Sequence, residues 1–212
     1  TTNDFKRQPL MVNPLSFSCP CIAQGDVNGD GLAYIYIVRE NGQGGALYLQ
    51  QKNGTFVVKK EPAFEADKKS NNSAALFFDA NGDGYPDLYF ARGGYKYEHN
   101  SPNYQDKLYI NKGKGIFTLA PDALPAKNTS KLCVRALDYN NDGKPDLFVS
   151  GRVDPWMYPK PVSSFIFRND SDKGKIKFTD GTDEVAPDLK NIGMVCDALF
   201  TDFDNDNQVD LV

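Results

Sequence analysis

The sequence predicts an all-β fold, a β-propeller built of four-stranded antiparallel blades. Three observations predict this fold. Short runs of β-branched and aromatic residues alternate with turn residues along all 212 positions. An acidic loop between two such runs recurs about every 60 residues, which is typical of repeat architectures. An apolar hairpin with an Asn- or Gly-rich turn follows each of the first three loops, so one repeat supplies the four strands of a propeller blade.

The acidic loop is clearest in FFDANGDGYPDLYF, residues 77–90. Carboxylate and amide side chains occupy its positions one, three, five and nine. Such a concentration of like charges is unfavourable unless a hard cation with oxygen ligands neutralises it. The pattern occurs in three loops, which supply Asp79, Asn81, Asp83 and Asp87; Asp138, Asn140, Asp142 and Asp146; and Asp202, Asp204, Asp206 and Asp210.

A further loop, in GDVNGDGLAYIYIV, matches the pattern only in part. Asp26, Asn28 and Asp30 occupy positions one, three and five, but position nine is Tyr34. Asp, Asn and Gly are also common in β-turns that bind no metal. For this loop a metal site and a metal-free turn are therefore equal alternatives.

The acidic loops do not fit an EF-hand. An EF-hand requires a bidentate Glu at position twelve and a helix on either side. Position twelve of the first three loops is instead an apolar residue inside a predicted strand: Ile37, Phe90 and Val149. The loops are therefore predicted to connect strands.

The phase of the repeats indicates one propeller segment of about three and a half blades. Phe56, Phe117 and Phe178 lie in the final strands of three hairpins, and Phe5 lies at a similar distance before an acidic loop. We therefore expect residues 1–18 to hold the last strand of a preceding blade and its link. The following blades are 19–70, 71–130 and 131–190, and residues 191–212 begin another. This division predicts an open arc that is part of a larger ring.

The pattern D-x-[DN]-x-D-[GN]-x-x-D-L between strands resembles the FG-GAP/VCBS repeat family. The turn NKGKGIF is similar to hairpins of its bacterial branch, and the Phe-Gly and Gly-Ala-Pro signatures of the integrin branch are missing. The resemblance implies a propeller, often seven-bladed, with Ca²⁺ in the loops between first and second strands. Asn207 replaces the usual Gly at position six and must adopt a positive φ, which Asn tolerates.

Calcium loops of this kind also use a backbone carbonyl at position seven. That position is Tyr85, Lys144 and Gln208 in the three complete loops, and Leu32 in the incomplete one. Sites in extracellular modules have a Kd on the order of 10⁻⁴ M. Such sites would be nearly empty at cytosolic calcium levels, so we expect a secreted, periplasmic or cell-surface protein.

Composition argues against two classes of partner. The 24 basic and 28 acidic side chains give a net charge of −4, which is too balanced to indicate nucleic acid binding. No apolar run approaches 18 residues, so no transmembrane segment is expected.

Three cysteines, Cys21, Cys133 and Cys196, lie five or six residues before acidic loops. We predict that they are small buried residues of the innermost strands. The sequence leaves open whether Cys19 forms a disulfide bond with a neighbouring blade.

Two long insertions, 92–106 and 151–164, follow second strands and should lie on the face opposite the acidic loops. They contain the only His and the only Trp of the chain. Aromatic residues on loops over a rigid scaffold suit protein or sugar recognition, although they could also cover the blade ends as a hydrophobic cluster. The candidate ligand-binding residues are Tyr95, Tyr97, His99, Tyr104, Trp156 and Tyr158.

Taken together, the residues and the resemblance predict a non-catalytic, calcium-binding extracellular module that binds a protein or a glycan. The alternative is a calcium-dependent polysaccharide lyase on a propeller scaffold. A lyase needs a base such as His99 or Tyr97 near a basic residue such as Lys96 or Arg92. No Ser-His-Asp order or Gly-rich phosphate loop points to another reaction, so the sequence leans against catalysis.

Overall fold

A computed structural model describes residues 3–9, 11–12, 15, 21–38, 45–67, 70–172 and 174–212. Strands dominate this part of the chain. In chain order they are β1 (Ile22–Gly25), β2 (Tyr34–Ile37), β3 (Ala46–Gln50), β4 (Phe56–Lys59), β5 (Asn72–Phe78), β6 (Asp87–Arg92), β7 (Lys107–Asn111), β8 (Phe117–Leu119), β9 (Ser130–Leu137), β10 (Asp146–Val153), β11 (Phe165–Asn169), β12 (Phe178–Asp180), β13 (Phe200–Thr201) and β14 (Asp210–Leu211). The helical turns are α1 (Asp4–Arg7), α2 (Pro62–Glu65) and α3 (Thr182–Val185), and single 3₁₀ turns cover Pro102–Tyr104 and Pro187–Leu189.

The strands form three four-stranded antiparallel sheets in sequence order: blade 1 (β1–β4), blade 2 (β5–β8) and blade 3 (β9–β12). β13 and β14 pair as a two-stranded C-terminal sheet. β1 contacts β5, and β5 contacts β9, so the first strands of successive blades are neighbours, as around a propeller axis. The all-β prediction and the four-stranded repeat are confirmed, and the described strands form the expected open arc.

Aromatic side chains fill the space between blades 1 and 2. Phe64 of α2 lies against Phe90 and Tyr109 with near-perpendicular rings, at centroid distances of 5.6 and 5.2 Å. Such edge-to-face pairs add to the stabilisation from burial. Blades 2 and 3 enclose a second cluster that includes Phe167 and Phe178, both fully buried. The cores of this molecule therefore lie between blades rather than within one sheet.

Both ends of the arc expose apolar side chains. Val58 on β4 is 59% exposed, and Phe203 beside the C-terminal sheet is 74% exposed. Phe56 on β4 is 43% exposed, whereas its equivalents in the interior of the arc, Phe117 and Phe178, are buried against a neighbouring blade. The ends thus present the kind of surface that blade-to-blade packing buries elsewhere in the chain.

The strand expected at Phe5 is wrong, because residues 4–7 form the helical turn α1. The Asn3 side chain accepts a hydrogen bond from the Lys6 backbone N–H at 3.2 Å, and acidic Asp4 lies in the first turn. An Asn cap followed by an acidic residue favours a helix start. Arg7 Nη1 donates to the carbonyls of residues 95 and 96 at 3.0 and 3.2 Å, which anchors α1 on the insertions. Residues 10, 13–14 and 16–18 lie outside the described residues.

The cysteine predictions are confirmed in part. Cys133 is buried in β9, and this burial raises the pKa of its thiol. Cys196 is exposed, so its predicted burial is wrong. The reason is that β13 is only two residues long and begins after Cys196, at Phe200. Cys21 is half-buried, and Cys19 lies outside the described residues.

A buried ionic network joins the insertion-side ends of blades 1 and 2. Arg92, 1% exposed, pairs with Asp67, whose other carboxylate oxygen accepts from Lys107 Nζ at 2.6 Å. Desolvation acts to raise the pKa of Asp67, but Arg92 and Lys107 outweigh it and hold that pKa below its ordinary value. Asp106 accepts from the Arg92 backbone N–H at 2.8 Å and pairs with buried Lys131 at 3.2 Å. Arg92 is therefore structural and cannot be the surface residue that the lyase alternative placed beside a base.

Candidate calcium loops and the opposite insertion face

Each acidic loop connects the first and second strands of its sheet, as the sequence predicts. The position-nine residues are the first residues of their strands: Tyr34 begins β2, Asp87 begins β6, Asp146 begins β10 and Asp210 begins β14. The loops and the hairpin turns share one face because an up-and-down sheet brings these connections to the same end. The insertions follow β6 and β10 and lie at the other end.

Every acidic loop adopts the left-handed backbone conformation at positions four and six. In loop order these pairs are Gly29 and Gly31, Gly82 and Gly84, Asn141 and Gly143, and Asn205 and Asn207. Gly and Asn are the residues that occupy this region at least cost. The predicted positive φ of Asn207 is confirmed at 67°.

The position-one carboxylate organises each loop. Asp79 Oδ1 accepts the backbone N–H of Gly82 at 2.8 Å and of Asp83 at 3.2 Å, and Oδ2 accepts that of Gly84 at 2.8 Å. The backbone N–H groups of positions five and six make the same two bonds in the loops that begin at Asp26, Asp138 and Asp202. The chain therefore turns around this carboxylate, which holds positions three and five beside it.

The position-seven residues also occupy equivalent places. Their backbone N–H groups donate to the position-five carboxylate at 2.7–2.9 Å, and the four donors are Leu32, Tyr85, Lys144 and Gln208. This bond uses the N–H and leaves the carbonyl of the same residue as a further oxygen donor. The structure thus places positions one to seven in one short turn, with position nine at the start of the following strand.

In the last acidic loop the carboxylates converge. One oxygen from each of Asp202, Asp204 and Asp210 lies within 4.8 Å of the others. Two oxygens bound to the same Ca²⁺ at about 2.4 Å can be at most about 4.8 Å apart. The donor set contains only oxygen, as a hard cation requires. These residues fit a calcium ion.

The position-nine carboxylates Asp87 and Asp146 are buried and connect loop to sheet. Asp87 is 0% exposed, and its two oxygens accept the backbone N–H groups of Ala80 at 2.9 Å and Asn111 at 2.8 Å. Burial, together with the Asp83 and Asp79 carboxylates, raises the pKa of Asp87 to about 7 despite these bonds. Burial likewise raises the pKa of Asp146. A nearby cation would offset this penalty because it favours the ionised form.

An asparagine at the end of the third strand links neighbouring blades. Asn111 Nδ2 donates to the carbonyl of Pro86 at 3.1 Å and to that of Val27, in the preceding acidic loop, at 2.7 Å. Asn169 repeats this contact one blade further on, with Pro145 and Ala80 as acceptors. Sequence reasoning missed this role, although both asparagines stand at the same place before a hairpin turn. The acidic loops that begin at Asp26 and Asp79 are thereby each tied to the next blade.

The loop with Tyr34 closes in a different way. Tyr34 is 3% exposed, and Lys59 Nζ lies 5.6 Å from its ring centroid. The adjacent Ala33 N–H donates to the side chain of Gln50, at the end of β3, at 3.1 Å. Slight desolvation acts to raise the pKa of Asp26, but backbone N–H donors outweigh it and lower that pKa. The loop therefore keeps the backbone conformation of the other acidic loops but lacks the carboxylate at position nine.

On the insertion face, two of the six candidate ligand residues belong to the interior. Tyr95 and Tyr104 are both 0% exposed. The Tyr104 hydroxyl accepts the Tyr97 N–H and donates to the Tyr97 carbonyl, both at 3.0 Å. Tyr95 packs with Met11 and Val153 in a small core. These two tyrosines hold the insertions in shape rather than presenting a binding surface.

The other four candidates reach the surface. Trp156 and His99 are exposed, and Tyr97 and Tyr158 are half-buried. The Arg7 guanidinium lies 4.9 Å from the Trp156 ring centroid, so α1 covers part of this aromatic surface. His99 Nδ1 pairs with Asp154 of the second insertion, which also binds Lys160. Sequence reasoning missed Asp154 and Lys160 because nothing local shows that the two insertions meet.

Sequential four-stranded blades with an acidic loop after each first strand define a β-propeller-type repeat protein. The family model described as FG-GAP-like repeat matches residues 26–90 and 94–149. The chain belongs to the FG-GAP repeat family. The matched residues include the acidic loops that begin at Asp26, Asp79 and Asp138. The search of curated proteins returned no match. Among the described residues, no helix combines the length and the apolar character needed to cross a bilayer.

Proposed function

We propose that this chain is a calcium-loaded extracellular binding module. The observation that carries the proposal is the convergence of the Asp202, Asp204 and Asp210 oxygens within 4.8 Å, in a loop whose backbone is repeated in the other blades. Ca²⁺ supplies positive charge where each loop concentrates carboxylates. The loops that begin at Asp79, Asp138 and Asp202 are the full sites, and the loop at Asp26 is the incomplete one.

The role proposed for calcium is structural. Asp87 is buried with a raised pKa, and it also holds the backbone of Asn111, whose side chain contacts the preceding blade. Charge compensation at one acidic loop therefore stabilises a contact between two blades. The chain uses this arrangement twice, at Asn111 and at Asn169.

The proposed partner is an extracellular protein or glycan that binds the insertion face. The exposed or half-exposed side chains there are aromatic or can form several hydrogen bonds, and they stand on a scaffold of buried tyrosines. Rigidly supported loops of this kind commonly carry recognition. The location outside the cell follows from the weak affinity expected of these loops, since they would fill only at millimolar calcium.

Thermal unfolding with and without calcium tests the proposal. With a Kd on the order of 10⁻⁴ M and about 1 mM Ca²⁺, each site adds about 1.4 kcal/mol. Three sites add about 4 kcal/mol, which raises the melting temperature by about 10 °C for a chain of this length. EDTA should remove the increase, and Asp83→Asn should remove about a third of it. A melting temperature that neither EDTA nor calcium moves contradicts the proposal.

A polysaccharide lyase is the second candidate. The His99–Asp154 pair favours it, because an Asp bound at Nδ1 fixes a His in one orientation and leaves Nε2 for proton transfer. The buried Arg92 cannot assist such a base. If the chain degrades an acidic polysaccharide and His99→Ala abolishes that activity, the lyase candidate replaces the binding module.

A further inference from the structure

A cavity of about 180 Å³ opens on the insertion face between blades 2 and 3. Both insertions line it, together with the links that follow β8 and β12. This volume is below the roughly 300–1,000 Å³ of sites for drug-sized ligands, so the cavity suits a group of about one ring. Val162 and Phe165 supply an apolar wall, and both are mostly buried.

The buried carboxylate of Asp154 holds two polar side chains, those of His99 and Lys160, at this cavity. Asp154 is 6% exposed; one of its oxygens pairs with His99 Nδ1 and the other accepts from Lys160 Nζ at 2.7 Å. Desolvation acts to raise the pKa of Asp154, but the bonds from Lys160 and His99 outweigh it and lower that pKa. Both carboxylate oxygens are therefore occupied within the protein.

Lys160 and His99 can each form a further hydrogen bond to a ligand. Their side chains are 49% and 57% exposed. The Lys160 ammonium has three N–H donors, and Asp154 accepts one of them. Within the described residues, the one further contact of this ammonium is a long one of 3.9 Å to Met157 Sδ. The cavity thus offers a charged donor with spare N–H groups at Lys160, which suits an anionic oxygen group, and a second ring nitrogen of His99 for a further hydrogen bond.

Three side-chain amides complete the polar lining. Asn100, Asn128 and Asn191 all border the cavity, and within the described residues none of their side chains forms a hydrogen bond. An amide both donates and accepts, as does a hydroxyl group. Three amides exceed what one carboxylate needs, and they match a ligand that also carries several hydroxyls.

We propose that this cavity binds a sugar acid, with the carboxylate at Lys160, the hydroxyls at His99 and the three amides, and the ring against Phe165. The inference rests on the proposed function, because it names a ligand class for the insertion face. Asp154 is a positioning residue, because its carboxylate holds Lys160 and His99 at the cavity. The acidic loops take no part, since they lie on the opposite face.

Isothermal titration of the calcium-loaded chain with D-glucuronate, D-glucose and acetate tests the proposal. Glucuronate should bind at least about tenfold more tightly than glucose, because only glucuronate forms charge-assisted hydrogen bonds to Lys160. It should also bind more tightly than acetate, which lacks the ring and hydroxyls. Glucuronate that does not bind at low millimolar concentration, or binds no better than glucose or acetate, overturns the proposal.

Matched variants locate the site. Lys160→Met should weaken glucuronate binding about tenfold, whereas Lys52→Met, on an exposed turn of the opposite face, should leave it unchanged. Asn191→Gly removes an amide without straining the backbone, because φ of Asn191 is 54°, and should weaken binding of glucuronate and glucose alike. Unchanged binding in both cavity variants overturns the assignment.

The outcome is distinguishable from that of the proposed function. Calcium binding is measured separately, by titrating Ca²⁺ into the same protein after EDTA treatment and dialysis. If calcium binds and glucuronate does not, this inference fails and the calcium module stands. If calcium does not bind, the proposed function fails whatever the glucuronate result.

Discussion

Replacing Asn111 with Ala should weaken the contact between blades 1 and 2. The Asn111 side chain is 0% exposed and donates to the carbonyls of Val27 at 2.7 Å and Pro86 at 3.1 Å. Each net hydrogen bond contributes about 0.5–1.5 kcal/mol, and a buried acceptor left without a donor costs more than an exposed one. Asn111→Ala should therefore lower the free energy of unfolding by about 2–3 kcal/mol.

Urea unfolding in calcium measures this loss. Asn169→Ala removes the equivalent bonds to Ala80 and Pro145 and should cost a similar amount. Asn103→Ala is the matched control because Asn103 is exposed, and its effect should stay within about 0.5 kcal/mol. If Asn111→Ala costs no more than Asn103→Ala, with unchanged dependence on urea, the side chain does not tie the blades together.

Three further predictions follow from single features. The pKa of Asp67 is held below its ordinary value, so its contribution to stability is present above about pH 4 and is lost as the pH falls further. Asp67→Asn should lower the free energy of unfolding at pH 7 by about 3 kcal/mol, since Arg92 loses its carboxylate, and should flatten the acid limb of a pH series; the exposed control Asp188→Asn should do neither. Asn207→Val should cost about 1–2 kcal/mol at φ 67°, and Asn207→Gly should change stability by less than about 0.5 kcal/mol in the same denaturation assay. Fractionation of the native source should find the protein outside the cytosol, and a cytosolic pool alone contradicts the expected location.

The acidic loops were predictable from sequence because their determinants are local. Residue types at fixed offsets set the turn, and the structure places Asp87, Asp146 and Asp210 at strand starts as expected. The left-handed conformation of Asn207 followed from the same pattern. The hairpin after each of the first three loops was equally predictable, since the alternating apolar residues and the turn residues lie within about 15 positions of one another.

The features that sequence did not reveal depend on segments that are distant in the chain. Asn111 and Val27 are 84 residues apart, and the sequence around neither shows that they meet. Buried Arg92 pairs with Asp67, which also binds Lys107, and these two partners come from a link and from another strand. The turn at Asp4 was misread as a strand because its apolar Phe5 fitted the repeat spacing, whereas the local cap at Asn3 decides the conformation. Spacing alone does not override a capping signal.

Direct counting of bound calcium tests the central claim. The chain is stripped with EDTA, dialysed against about 1 mM Ca²⁺ and analysed for metal and protein content. We expect about three Ca²⁺ per chain, or about four if the loop at Asp26 also binds. Asp83→Asn, Asp142→Asn and Asp206→Asn should each lose about one ion, and the exposed control Asp188→Asn should lose none. A chain that retains no calcium at this concentration, with its fold intact, contradicts the claim that the acidic loops are metal sites.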